Sequence, residues 1–280
     1  MKLSPKFVLG MIALVFGGVA LRIAYEAHKP RIGTRVLFVG NSITFVDNLP
    51  AVFAALSATN GYPVTTEMLV ASGAGLADRV ADASVAHLLD RQRFDFVVLQ
   101  ERGGALACAQ LPPPALDYCE SSKRAHVALG RLINAHGAQA VVLGTYQLAP
   151  DISRTLQANE NAVAAAIGAR SVPISDRLLR GMRQLPELDW LAADHMHPGH
   201  DLTLLDAIAL YQAIFAAPPG TNAFTARAPI YDISAIVYDG SVAMSQQRIP
   251  AAINAYTYDS ARIGEVLRIA LEPAAAQSAP

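Results

Sequence analysis

Two periods of hydrophobic and polar positions alternate along this chain. Short strand-like runs recur at Arg35–Val39 (RVLFV), Val64–Val70, Phe94–Leu99 (FDFVVL), Gln139–Gly144 (QAVVLG) and Ser171–Ile174. Several are apolar almost throughout, as a strand is when both its faces are buried. Between them lie stretches with helical spacing: Pro50–Thr59, Leu76–Arg91, Ser121–His136, Ile152–Ile167 and Asp201–Phe215. Pro50 suits a first helical turn, and Gly137 and Gly168 stand where two helices should stop. This alternation predicts a three-layer α/β/α domain with a mostly parallel sheet of about five strands. Ligands of such sheets bind beyond the carboxyl ends of the strands, so functional residues are sought in the loops that follow strands.

The flanks read differently. Lys2 and Lys6 precede an apolar run from Phe7 to Leu21, closed by Arg22. This is the pattern of an export signal. It is short for a span, which needs roughly 20 apolar residues, but Ile23, Ala24 and Tyr25 could extend it past Arg22. Residues 1–27 are therefore expected to be a signal peptide or a membrane anchor, the anchor being preferred. That places the protein at the membrane facing the periplasm or exterior, or free there after cleavage. Residues 28–34 read as a linker, 35–217 as the main domain and 218–280 as a C-terminal extension. Ala217–Pro229 reads as a connector, Ser260–Leu271 as a helix and Glu272–Pro280 as a disordered tail. Gly103–Cys119, with three consecutive prolines, is expected to be an irregular lid.

Composition narrows the class. The chain has 280 residues, 52% hydrophobic and 16% charged, with a formal net charge of −1. That excludes a disordered chain and supplies no basic field for nucleic acid. Cys108 and Cys119 could pair in an exported protein, although spacing alone leaves the question open.

Two segments carry candidate chemistry. Gly40-Asn41-Ser42-Ile43-Thr44 follows the first strand directly, so Ser42 sits at a strand's carboxyl end. A serine hydroxyl becomes a useful nucleophile when a base takes its proton. Asp194-His195-Met196-His197-Pro198 lies late in the chain. A carboxylate three residues before a histidine can fix the imidazole tautomer and stabilise its charged form. Two alternatives stand beside this reading. His195, His197 and His200 with Asp194 could bind a metal, or the segment could be a polar loop before a helix capped by Asp201.

Taken together, a G-N-S block after the first strand and a D-x-x-H block near the end resemble the SGNH/GDSL hydrolase superfamily, over about Arg35 to Phe215. The resemblance implies a serine esterase with Ser42, Asp194 and His197 as catalytic residues and no cofactor or metal. It implies an oxyanion hole built from the backbone N–H groups of Ser42 and Gly73, the latter within Ser72-Gly73-Ala74-Gly75. Where many members carry an asparagine after the third strand, this chain reads Val97-Val98-Leu99-Gln100-Glu101. Together the GNS-x-T and VVLQE blocks are similar to a less characterised bacterial branch. There Gln100 could supply the amide donor or merely pair with backbone. The implied substrate is an ester of a small acyl group such as acetyl, on a small molecule or a carbohydrate. An acyltransferase acting on a cell-envelope sugar and a catalytically weak membrane-anchored binding protein are the rival readings.

The remaining features read as structural. Gly73-x-Gly75 with Asp78 lacks the third glycine of a dinucleotide fingerprint. Glu101 and Arg102 could form an ion pair at the rim. Trp190 is expected to pack beneath the Asp194–His197 loop or to line the pocket. Asn159, Glu160 and Asn161 read as a solvated helix face.

Overall fold

A computed structural model describes residues 33–110, 113–229, 241–247 and 253–272. The expected N-terminal apolar segment lies outside these residues, as does most of the expected C-terminal tail. Among the described residues no helix is long and apolar enough to cross a membrane.

Five strands form one sheet: β1 (Thr34–Gly40), β2 (Val64–Val70), β3 (Phe96–Gln100), β4 (Gln139–Leu143) and β5 (Arg170–Val172). Their order is β2-β1-β3-β4-β5 and every pairing is parallel. The pleat divides side chains between two cores. Val36 and Phe38 of β1, Val98 of β3 and Val141 of β4 face one layer, with helices α2 (Leu49–Thr59), α7 (Ser175–Gln184), α8 (His200–Phe215) and α9 (Ser260–Leu271). Leu37, Val39, Val97, Leu99 and Val142 face the other, with α3 (Leu76–Ala81), α4 (Ser84–Arg91), α5 (Pro113–Ala135) and α6 (Pro150–Ala166). Burial on both faces explains why these strands read as nearly continuous apolar runs. A short turn of helix, α1 (Ser42–Phe45), follows β1. β1 has β2 on one side and β3 on the other, so the winding reverses there. The crevice at such a switch point is where open α/β sheets bind ligands.

Several expectations are corrected. The helix read as Leu76–Arg91 is two helices, because Ala83 adopts left-handed φ (53°) between them and Asp82 Oδ1 accepts from the Ser84 N–H. The amphipathic spacing carries across that break and hides it. The fifth strand is Arg170–Val172, ending before Pro173, whose missing N–H cannot extend a ladder. Helix α7 is not among the helices expected above, because its SDRLLRGMRQ segment is mostly polar. The expected lid, Gly103–Cys119, is instead a 3₁₀ turn (Ala105–Gln110) followed by the start of α5 at Pro113, a residue suited to a first turn. Cys108 and Cys119 are bonded, with Cα atoms 5.4 Å apart. The connector contains a strand, β6 (Phe224–Pro229), paired antiparallel with β7 (Ile253–Tyr258).

Glu160 does not lie on a solvated face. It is 2% exposed and accepts from the N–H and hydroxyl of Thr145 at 2.7 and 3.1 Å. Burial lifts its carboxyl from 4.5 to about 7, against those two hydrogen bonds. Nor do Glu101 and Arg102 pair. Glu101 is buried and accepts from the N–H groups of Leu76 and Arg102 and from Ser122 Oγ.

Candidate active site

The loop after β1 is built by its own motif. A Cβ at Gly40 would overlap the Thr44 hydroxyl, so only glycine lets the chain turn here. Asn41, fully buried, caps α1: its Oδ1 accepts from the Ile43 N–H at 3.1 Å. Thr44 Oγ1 accepts weakly from the Asn41 N–H and donates to Gln100 Oε1 at 2.6 Å. Asn41 Nδ2 reaches the Gln100 carbonyl at 3.5 Å. The loop after β1 is thereby fastened to the end of β3, with Ser42 as the first helical residue. Its N–H is one of those a helix start leaves without an intrahelical acceptor.

The second segment is a closed loop. The Ala192 N–H donates to the His197 carbonyl and the Gly199 N–H to the Trp190 carbonyl, so its two arms are bridged. Tyr146, after β4, donates its hydroxyl to the Met196 carbonyl at 2.6 Å. Trp190 lies beneath the loop rather than in a pocket: it is 4% exposed and its indole N–H donates to the Leu185 carbonyl. Asp194 Oδ1 accepts from the N–H groups of Met196 and His197 at 2.9 and 3.0 Å. Its Oδ2 lies 2.6 Å from His197 Nδ1. Burial pulls this carboxyl upward, but the two N–H groups and the imidazole outweigh that and hold it at about 2.

These two loops, 155 residues apart, meet. His197 Nε2 is 2.9 Å from Ser42 Oγ. The three residues form a continuous line of hydrogen-bonding groups, carboxylate to imidazole to hydroxyl. Charge on His197 can be balanced by Asp194 as the imidazole takes the serine proton.

A second contact joins the same loops, and sequence reasoning missed it. His200 Nδ1 lies 2.6 Å from Asp47 Oδ2, and Asp47 is 4% exposed. The His200 ring stacks on Tyr256 at 3.6 Å between centroids. Burial lowers its affinity for a proton, yet the Asp47 hydrogen bond and charge, with Asp189 and Asp201, raise its pKa above the ordinary histidine value. Asp47 and Asn48 both have left-handed φ (64° and 50°), which Asp and Asn tolerate best. An Asp-Asn pair soon after the motif was the available signal.

The other expected site residues are placed as follows. Gly73 stands in the exposed turn after β2 with φ 67°, and its N–H meets no acceptor among the described residues. The Gly75 N–H is taken by Asp78 Oδ2 at 2.8 Å, so this fragment caps α3 rather than cradling a dinucleotide. Gln100 is 1% exposed; its Oε1 is held by Thr44 and its Nε2 has no partner among the described residues. His195 is exposed, with φ 57°, and His200 is engaged with Asp47, so the late histidines do not converge. Among the described residues no group of three or more His, Cys, Asp or Glu is arranged to hold a metal ion.

No protein-family model matches the sequence, and no curated protein matches it. Solved structures do match. A protein from Slackia heliotrinireducens assigned to the SGNH hydrolases is 24% identical with a TM-score of 0.52, over 65% of this chain and 99% of that one. A serine-to-alanine catalytic mutant of an acetylxylan esterase from Geobacillus stearothermophilus is 17% identical with a TM-score of 0.50, over 66% and 96%. A DUF4886 family protein from Bacteroides uniformis is 12% identical with a TM-score of 0.51, over 85% and 93%. The fold is the one these SGNH hydrolases and esterases share.

Proposed function

We propose that this protein is a serine esterase that cleaves a small acyl ester, with Ser42 as nucleophile, His197 as general base and acid, and Asp194 as the carboxylate that orients His197 and balances its charge. The observation that carries the reading is the unbroken contact from Asp194 Oδ2 through His197 to Ser42 Oγ, at 2.6 and 2.9 Å.

In the first step His197 Nε2 takes the serine proton as Oγ attacks the ester carbonyl. The Asp194–Nδ1 hydrogen bond keeps the acceptor nitrogen turned toward Ser42 and stabilises the imidazolium. The Ser42 and Gly73 N–H groups are the first donors to the oxyanion, and the Gln100 amide, whose Nε2 is buried, is the third candidate. Each of these donors lacks a protein acceptor among the described residues, as a preorganised donor should. His197 then protonates the leaving alcohol, and water, activated the same way, releases the acid.

A carbohydrate ester is the favoured substrate. The Geobacillus stearothermophilus protein with this fold is an acetylxylan esterase, and this chain's Ser42 and His197 meet beyond the carboxyl end of β1, where open α/β sheets bind ligands. A location outside the cytoplasm goes with the N-terminal pattern and is supported by the Cys108–Cys119 bond, since reducing compartments seldom keep one.

The test is turnover of p-nitrophenyl acetate by the full chain. Ser42→Ala and His197→Ala should each lower kcat by about 10⁴ to 10⁶, because members of such a set act as a unit. His195→Ala should change it less than about threefold, its side chain being exposed and outside the line. Wild-type-like turnover in Ser42→Ala would falsify the nucleophile assignment.

A further inference from the structure

One exposed cation beside the site has no use in the chemistry above. Arg102 follows Glu101 in the loop after β3 and is exposed. Its guanidinium lies 4.1 Å over the ring of Tyr118, an attractive placement for a cation. No carboxylate among the described residues pairs with it. The adjacent Glu101 points inward, where Leu76 N–H, Arg102 N–H and Ser122 Oγ take up its oxygens.

The position of Arg102 follows from its neighbours. The next residue, Gly103, packs against Ile43: a Cβ there would lie 3.3 Å from Ile43 Cδ1, and Ile43 adjoins Ser42. On the other side the Tyr118 hydroxyl sits on the Cα of Gly75, two residues beyond Gly73. Arg102 and Tyr118 therefore bridge the rim from the nucleophile loop to the Gly73 turn. The platform is covalently pinned, because Cys119 next to Tyr118 is bonded to Cys108. A planar guanidinium with free donors suits an oxyacid anion, which it can grip with two parallel hydrogen bonds.

We infer that Arg102, held on Tyr118, forms a subsite for an anionic oxyacid group, a carboxylate or a phosphate, carried by the carbohydrate substrate. This rests on the esterase reading for the identity of the neighbouring site, but binding can be measured without turnover. The full chain carrying Ser42→Ala is titrated with galacturonate, galactose 6-phosphate and galactose, following protein NMR shifts. At least one anion should bind about threefold to tenfold tighter than galactose, as expected for a partly exposed ion pair. The preference should fade at about 1 M salt, where screening acts over about 3 Å. Galacturonate alone responding assigns a carboxylate; galactose 6-phosphate alone responding assigns a phosphate. Arg102→Gln should bring the ratio to about one and Arg102→Lys should keep only part of it, because an ammonium keeps the charge but lacks the planar two-point grip, with thermal melts checking that both variants fold. An unchanged ratio in Arg102→Gln, or no preference for either anion in the parent, overturns the proposal. Turnover of p-nitrophenyl acetate by the unsubstituted chain judges the esterase reading separately, so either can fail alone.

Discussion

A hydroxyl at position 44 serves Gln100 rather than solvent. Thr44 Oγ1 donates to Gln100 Oε1 and so fixes which end of the buried amide is left with free N–H groups. Replacing Thr44 with Val should cost about 1–3 kcal/mol in urea unfolding, since a buried carbonyl oxygen loses its donor. If the Gln100 amide donates to the oxyanion, Gln100→Leu should lower kcat for p-nitrophenyl acetate by about 100- to 1000-fold with little change in KM. A fall below about tenfold would leave Gln100 as a strand-end amide that only orders the nucleophile loop. Gly40→Ala should be worse than either for folding, because the added methyl meets the Thr44 hydroxyl and the loop cannot close.

Two further fastenings between elements lie near the site. The first is the disulfide joining the 3₁₀ turn to α5, across 11 residues. Replacing both cysteines with serine should lower unfolding free energy by about 2–3 kcal/mol, the range expected for closing a loop of this size. The second is the Asp47–His200 pair, which ties the segment after α1 to the start of α8, three residues past His197. Asp47→Asn should loosen the late loop and lower kcat more than it raises KM. A matching loss of kcat in His200→Asn, with no further loss in the double variant, would show that the two act as one contact.

Stability should depend on pH through several groups, and two of them, His200 and Glu160, act in the same direction. The folded pKa of His200 is raised, so its contribution is fully present below about 6.5, the unfolded histidine value. It is lost as pH climbs through the raised value. Glu160 is likewise raised, from 4.5 to about 7. Its protonated form is the one the fold accepts, and between those values stability falls as pH rises, by roughly 3 kcal/mol in total. Glu160→Gln keeps an oxygen for Thr145 and removes the charge. It should raise the Tm at pH 8, change it little at pH 4 and flatten the profile between. A variant that melts lower than the parent at pH 8 would show that the carboxylate is instead stabilised by its surroundings. Asp194 works in the opposite sense. Held at about 2, its contribution is fully present above the ordinary carboxylate value of about 4 and is lost as pH falls from there through about 2.

The chain's hydrophobic periodicity was enough to determine the parallel sheet, its two covering layers and the places where chemistry could sit. Burial on both faces leaves a mark in consecutive residues, and G-N-S and D-x-x-H are local patterns. Local, too, are the cap made by Asn41 and the need for glycine at position 40. What only the tertiary structure decided are the meetings of distant segments: Ser42 with His197, Asp47 with His200, Thr44 with Gln100, and Arg102 with Tyr118 beside a disulfide. The break at Ala83, the polar helix α7 and the pairing of β6 with β7 belong to the same group. Each depends on which side chains the packed layers bring within hydrogen-bonding or ring-contact distance, and no period along the chain records that.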